Sequence, residues 1–466
     1  MAAGNPGTSG YDVIIVGAGT AGMFAALELA DSGLSVLLLE KGSDLEDRTC
    51  PIRGHPGRCL SCRPCRMVSG FGGAGAYSDG KLTLSADVGG RLGSLLEPAV
   101  LRELIDYVDS VYVRFGAPDR VFGVGPEVDA LVTRATLAGL RLVPVRLRHL
   151  GCEYCGRVLN AMRAHLSQRV DIRVHTNVVD VDCDGGSVRG VRTSSGEVMT
   201  CRFLICAPGR EGAEWLTGIA RQHGLAVETN PVDVGVRVEM PAPVMAELSR
   251  VLYEAKLEYY SSTFDDRVRT FCMCPNGEVV MESTGGADPV VTVNGVGYAE
   301  RTTPNTNFAV LVSTSFTEPF HEPIAYGKYL ARLANLLSGG VLVQRLGDLQ
   351  AGRRSTPERL GRSLVRPTLA AATPGDLSFV LPYRYLTDIV EMLGALDVLA
   401  PGAASEHTLL YGVEVKFYSG RLELGPCLET GIRNMFAVGD GAGVSRGLVQ
   451  ASVSGVVAAR EVKART

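Results

Sequence analysis

Four cysteines crowd into sixteen residues near the start of the chain: Cys50, Cys59, Cys62 and Cys65, spaced C-x8-C-x2-C-x2-C in a loop that also holds Pro51, Pro56 and Pro64. Such a loop can converge four thiolates without help from a helix or a sheet. Arg48, Arg53, Arg58, Arg63 and Arg66 lie in or beside it, with no acidic residue from 48 to 66, a field that lowers thiol pKa values. The spacing leaves three readings open for these candidate metal ligands: an iron–sulfur cluster of the [4Fe-4S] kind, a structural zinc ion, or unligated redox thiols.

A second chemical signal comes earlier. Asp12 to Val16 is a short β-branched run that leads directly into Gly17-Ala18-Gly19-Thr20-Ala21-Gly22 and then a helical stretch, Met23 to Ala30, with a second strand at Ser35 to Glu40. In this G-x-G-x-x-G arrangement Gly17 permits the tight turn, Gly19 lets the backbone approach a pyrophosphate, and Gly22 lets the helix pack on the strand. Thr20 and Ala21 open the helix whose N-terminus faces the phosphates. Glu40, eighteen residues past Gly22 and followed by Lys41, stands where a carboxylate accepts hydrogen bonds from a ribose. Strand, glycines, helix, strand and acid coincide, so the unit reads as a dinucleotide site. No second fingerprint marks a separate NAD(P)H domain.

The same unit serves NAD and FAD, and the far end of the chain separates them. Asn434 to Gly439 reads as a last strand, followed by Asp440, Gly441-Ala442-Gly443 and a closing helix within Val444 to Arg460 that takes in Gly447, Leu448 and Val449. This resembles the C-terminal motif of two-lobed flavoproteins of the glutathione reductase type, in which the aspartate binds the ribityl chain. Between the ends, Arg173 to Cys183 (with Val178 and Val179), Ser187 to Thr193 and Glu197 to Cys206 alternate like a three-stranded meander. It closes on Ala207-Pro208-Gly209, which looks like the small-residue return to the FAD in those folds. The cofactor expected is therefore FAD, with NAD(P)H at most a transient reductant.

Immediately after the cysteine loop runs Ser69 to Lys81, SGFGGAGAYSDGK, so poor in side chains that its amides are exposed for close passage beside a flavin or pyrophosphate. Gly72, Gly73, Ala74 and Ser78 are candidate cofactor contacts. Lys81 would place a positive charge near the flavin, and its closeness in sequence to the cysteines would put any metal there beside the flavin too. For proton handling the candidates are His407 and Glu414, just ahead of the last motif, the latter a carboxylate in an otherwise apolar strand. Arg384, Arg301 and Arg353-Arg354 could clamp an anionic substrate. Cys152 and Cys155 could complete a zinc site with a pair from the first loop, act as a dithiol or, as the simplest reading, be buried thiols, and Cys272 and Cys274, on one face of a strand, need no more than a core explanation.

Length and composition set the frame for these sites. At 466 residues two or three lobes are expected. The 46 basic and 50 acidic residues nearly cancel, which argues against nucleic acid or an anionic membrane as partner, and no apolar run is long enough to span a bilayer. Residues 1–90, 150–215 and 400–466 should build a discontinuous FAD domain, 91–149 a mainly helical segment, and 216–399 a sheet-rich substrate domain. No basic-then-apolar leader opens the chain, so a cytoplasmic location is expected.

The whole chain resembles a family of bacterial FAD-dependent dehydrogenases that carry a cysteine triplet before SGFGGAGAYSDGKL, here Cys59 to Leu82. The other shared motifs are Phe271 to Pro275, Asn294 to Asn307, Leu381 to Arg384, Tyr411 to Val415 and Gly439 to Ala451. Gly151-Cys152-Glu153-Tyr154-Cys155 departs from the expected Gly-Thr-Asp start. The cysteine triplet also resembles part of a ferredoxin ligand run, although there the Cys-Pro follows the triplet and here it precedes it. The resemblance implies an α/β, two-lobed Rossmann-type FAD fold with a mixed α/β substrate domain, moving a hydride or electron pair between flavin and a small organic substrate. Two alternatives stand beside it: an ene-reductase resembling the geranylgeranyl reductases and fed by an iron–sulfur cluster, and a flavin electron-transfer or tRNA-modifying protein with a macromolecular partner.

Overall fold

In a computed structural model the described residues are 10–51, 62–228, 232–284, 289–314, 316, 322–417 and 419–466. The β-branched run after the N-terminus forms the strand Gly10–Val16, which lies between Val36–Leu39 and Val198–Cys206 in a parallel sheet extended by Asp171–Arg173. Val198–Cys206 is long enough to serve two partners along one edge. Its first half pairs antiparallel with Ser187–Thr193, and its last residues pair in parallel with Met435–Ala437. Val178–Asp184 completes the three-stranded meander.

Helix Thr20–Leu29 is buried almost all round because the closing helix, Leu448–Ala464, packs on the side turned away from the sheet. Their crossing is close enough that a side chain on Gly455 would overlap the Ala21 carbonyl.

The second lobe is built on an eight-stranded sheet. Its order is Thr373–Pro374, Leu342–Arg345, Leu409–Lys416, Val232–Pro241, Asn305–Thr314, Arg267–Cys274, Leu257–Tyr260 and Arg141–Leu142. The period of two decides what each face carries. Val232, Val234, Val236, Val238 and Met240 enter an apolar core with Phe308, Val310 and Val312 and with helix Tyr383–Leu399. The intervening Asp233, Arg237 and Glu239 are left to the other face, although they too are buried.

Two expected boundaries move. The strand Leu409–Lys416 falls within the region assigned to the FAD domain, yet it is the third strand of the second sheet, paired with Val232–Pro241. The segment 91–149 is divided between the lobes rather than forming a helical unit of its own. Helix Pro98–Arg114 buries Leu101, Ile105 and Val108 in the first core, whereas helix Pro126–Leu137 gives Leu131 and Ala135 to the second. Between them Val121–Phe122 and Arg146–His149 join Lys81–Leu84 in a three-stranded sheet. Among the described residues no helix is long and apolar enough to cross a membrane.

Candidate functional site

The glycine turn does what its spacing requires, with a different constraint at each position. Gly17 has φ +101°, and a side chain there would overlap the Ala207 carbonyl; one on Gly22 would overlap the Gly17 carbonyl. Gly19 is open by comparison, since a Cβ there would meet only Gly73 Cα, at 3.9 Å. Helix Thr20–Leu29 starts at Gly19 with no side chain capping it and no acid in its first turn, and helix Leu448–Ala464 starts in the same way at Gly447. Both starts border the glycine loop: a Cβ on Gly75 would lie 3.0 Å from Leu448 Cδ2 and 3.7 Å from Thr20 Oγ1. Two helix N-termini with unused N–H groups, lined by glycines, form a cradle that fits a pyrophosphate.

Glu40, 6% exposed, accepts hydrogen bonds from the backbone N–H groups of Ala18 (2.9 Å), Gly42 (2.8 Å) and Gly70 (2.9 Å). A carboxylate has about four acceptor sites. Three are spent on tying the glycine turn to the loop that begins at Ser69, and one is left for a ligand hydroxyl. Lys41 is ion-paired with Glu211, which also accepts from Ser69 Oγ at 3.1 Å. At the C-terminal edge of the same strands, Asp440 Oδ1 accepts from Ser445 Oγ at 2.6 Å, and burial raises the carboxyl pKa above its usual range. Gly439 donates to Ser454 Oγ (2.9 Å), and Gly441 packs on Gly209. At the head of the meander Val178 is buried, while Val179 is exposed and accepts from Trp215 Nε1 at 3.0 Å.

Where the glycine loop ends, chemistry passes from backbone to side chains. Lys81 Nζ lies 2.8 Å from Asp79 Oδ2, 3.5 Å from Cys272 Sγ and 3.7 Å from Cys274 Sγ. Arg237, with none of its surface exposed, donates to Asn307 Oδ1 (2.8 Å), the Cys272 carbonyl (2.6 Å) and Cys274 Sγ (3.3 Å), and lies 3.5 Å from Glu414. Lys416 Nζ sits 2.8 Å from the same Glu414. Burial opposes charge on Lys81, but Asp79 and the two sulfurs outweigh it and hold the ammonium pKa well above its ordinary value. Beside the cluster Glu254, despite burial, is lowered to about 2 by Lys256 and Lys81. His149, stacked on Tyr253 at 4.0 Å between ring centroids and 2.7 Å from its hydroxyl, is pushed down to about 4 by burial.

Comparison with known proteins agrees with this division. Residues 12–49 match the family described as FAD binding domain, and residues 231–417 match FAD-dependent protein, C-terminal domain-like. The chain carries the segments of an FAD-dependent protein. It is 26% identical over 472 residues to an uncharacterized protein of Clostridium beijerinckii, covering 96% of this chain and 80% of that one. A shorter match, 32% over 155 residues, covers 31% of this chain and 35% of a digeranylgeranylglycerophospholipid reductase of Methanosarcina mazei. Among solved structures, glycine oxidase from Geobacillus kaustophilus aligns over 98% of this chain and 93% of its own, with 13% identity and a TM-score of 0.38.

Of the expected catalytic groups, the fold brings Lys81 and Glu414 into one network but leaves His407 out. His407 lies before the far end of the strand that carries Glu414, roughly 20 Å away along it, where it meets Arg345 (3.4 Å) and Glu406 (3.6 Å). Three of the four proposed anion clamps are already engaged: Arg384 with Asp266, Arg301 with Glu278, and Arg353 with Asp348.

Part of the cysteine loop lies outside the described residues: Cys59 is among those, and Cys50, Cys62 and Cys65 are half-buried. Among the described residues, the three metal-ligand atom types within 4.8 Å of one another belong to Asp79, Cys272 and Cys274. Cys62 instead lines a cavity of about 350 Å³ with Gly42, Ser43, Arg63 and His175, just beyond Glu40, whereas Lys81 contacts the other cysteine pair. Arg48 serves the fold rather than the thiols: it donates to the carbonyls of Arg66, Met67, Phe71 and Gly73 and accepts at its own carbonyl from Tyr77. Cys155 packs on Gly80 as a core thiol.

Reading the sequence missed Arg237, Asp79 and the role of the Cys272–Cys274 pair. The available signal was an arginine in VDVGVRVEM, which cannot be buried without partners, together with two cysteines on one strand face.

Proposed function

We propose that this protein is an oxidoreductase that moves a hydride or electron pair between FAD and a small organic substrate, in the dehydrogenase direction, at the junction of the glycine loop and the buried charge cluster. One observation carries the reading. The single segment from Gly70 to Lys81 runs from the pyrophosphate cradle, at Gly73 and Gly75, into the cluster, at Asp79 and Lys81. That continuity supports a cofactor that reaches from the cradle toward those charges.

Bound FAD supplies the redox chemistry. The chain supplies the rest: the two helix starts hold the phosphates, Glu40 keeps one acceptor site for a ribose hydroxyl, and Asp440 takes a ribityl hydroxyl. Lys81 holds a fixed positive charge. Glu414, between Arg237 and Lys416, positions Arg237, and the Tyr253 hydroxyl shares a hydrogen bond with the uncharged His149 ring at the edge of the cluster. Metal binding at Cys50, Cys59, Cys62 and Cys65, as an iron–sulfur cluster or a zinc ion, belongs to this reading on the spacing of the four thiols in the sequence.

A second reading, an ene-reductase, is favoured by the match to the archaeal digeranylgeranylglycerophospholipid reductase. Anaerobic mixing separates the two. Bleaching of oxidised flavin by small hydroxy- or amino-acid donors supports the dehydrogenase; no bleaching by donors, with reoxidation of chemically reduced flavin by an activated alkene, replaces it with the ene-reductase.

A further inference from the structure

Cys272 and Cys274 stand in an unusual piece of strand. Cys272 has φ +47°, in the left-handed region that residues with a side chain rarely adopt, and the pairing with Asn305–Thr314 slips between Phe271 and Cys274. The bulge brings the two sulfurs within 4.8 Å of each other. They are not equivalent: Cys274 is fully buried, while Cys272 keeps part of its surface.

The surrounding charges are out of balance by one. Lys81, Arg237, Lys416 and Lys256 face Asp79, Glu414 and Glu254, four cations against three carboxylates. A thiolate at Cys272 closes the difference, and the hydrogen bond from Cys274, with the nearby Lys81 and Arg237, lowers the Cys272 pKa while burial raises that of Cys274. A metal ion is disfavoured here, because the Lys81 ammonium already lies among the three candidate ligand atoms, 2.8 to 3.7 Å from each.

We propose that Cys272 and Cys274 are a redox-active dithiol that exchanges an electron pair with disulfides of small thiols, Cys272 attacking and Cys274 resolving. The Cys272 thiolate attacks one sulfur of the external disulfide RS–SR, whose S–S bond breaks and releases RS⁻, leaving a mixed disulfide on Cys272. The Cys274 sulfur then attacks Cys272 Sγ and expels the second thiolate, which takes the Cys274 proton and leaves as RSH. Two protein sulfurs are oxidised and the external disulfide is reduced by the same electron pair. Asp79 Oδ2, 3.5 Å from Cys274 Sγ, offers the alternative acceptor for the single Cys274 proton once Cys272 is no longer a thiolate. The exchange needs only these sulfurs, so it stands independently of the hydride-transfer reading.

The test uses the wild-type holoprotein, equilibrated in mixtures of reduced and oxidised glutathione, acid-quenched, alkylated and digested. The tryptic peptide Thr270–Arg301 should lose the mass of two hydrogens and take no alkyl label once the mixture is oxidising, with a two-electron dependence on the glutathione ratio. Lys81→Met should slow alkylation of Cys272 at neutral pH about tenfold, and Cys272→Ser should leave Cys274 unreactive. The proposal is overturned if both cysteines stay alkylatable in oxidised glutathione, if a glutathione adduct on Cys272 persists unresolved, or if added zinc protects both in a chelator-reversible way.

Discussion

The two halves of the site are made from different materials. The cradle around Gly17, Gly19 and Gly22 is built almost entirely from backbone: carbonyl-to-glycine contacts, two uncapped helix starts and one carboxylate that satisfies three amides. The cluster around Lys81 and Arg237 is built from side chains contributed by the glycine loop and four strands of the second sheet. A backbone site tolerates almost no added volume but carries little charge of its own. A side-chain site is sensitive chiefly to charge, because each buried ion depends on its neighbours.

Five substitutions sharpen that contrast. The largest effect belongs to Gly22→Ala, whose Cβ would overlap a carbonyl: a loss of about 3 kcal/mol or more in denaturant unfolding, with loss of FAD. Gly19→Ala is its control, since the space there is open; stability should stay within about 0.5 kcal/mol while FAD retention falls. Equal destabilisation by the two would break the assignment of Gly19 to ligand approach.

Next is Arg237→Met, which leaves Glu414 facing Lys416 alone in the interior and should cost roughly 3 kcal/mol, partly recovered in the double variant with Glu414→Gln. Full additivity of the two would show that they do not share a network.

A pH effect of intermediate size follows from His149. Its folded pKa, about 4, lies below the ordinary 6.5, so the folded state is penalised when the ring is protonated. Stability is complete above pH 6.5 and falls as pH drops toward 4, by roughly 3 kcal/mol. Glu254, about 2 against an ordinary 4.5, adds a further loss from pH 4.5 downward. His149→Phe should flatten thermal unfolding between pH 6.5 and 4.5; an unchanged slope would place the proton elsewhere. The smallest effect belongs to His407→Ala, outside the cluster, where flavin reduction by substrate should change less than about twofold, a change under roughly 0.4 kcal/mol.

The same division explains what could be read from the sequence. The cradle was legible because its requirements are local: Gly17 to Gly22 and Glu40 fall within one strand–helix–strand unit, and their order in the chain is their order in space. The meander and closing helix were legible through alternation and a glycine start. The cluster was not, because Arg237, Cys272 and Glu414 meet through pairing between strands far apart in sequence. His407 and Glu414 looked like neighbours in the chain, yet an extended strand carries them apart. Leu409–Lys416 was placed in the wrong lobe because adjacency to the last FAD motif says nothing about which sheet accepts the strand. Arg48 looked like a thiol activator because a one-dimensional count of charges cannot show that its donors are already engaged by carbonyls.

The most direct test of the central claim, that the buried charges end the same loop that cradles the cofactor, is the midpoint potential of bound flavin in the wild type and in Lys81→Met. Removing a fixed positive charge beside the flavin should lower the two-electron potential by about 30 mV or more, equivalent to roughly 1.4 kcal/mol. Potentials that agree within a few millivolts, in a variant that still binds FAD and unfolds cooperatively, would mean that Lys81 and its cluster lie away from the redox centre and would contradict the account.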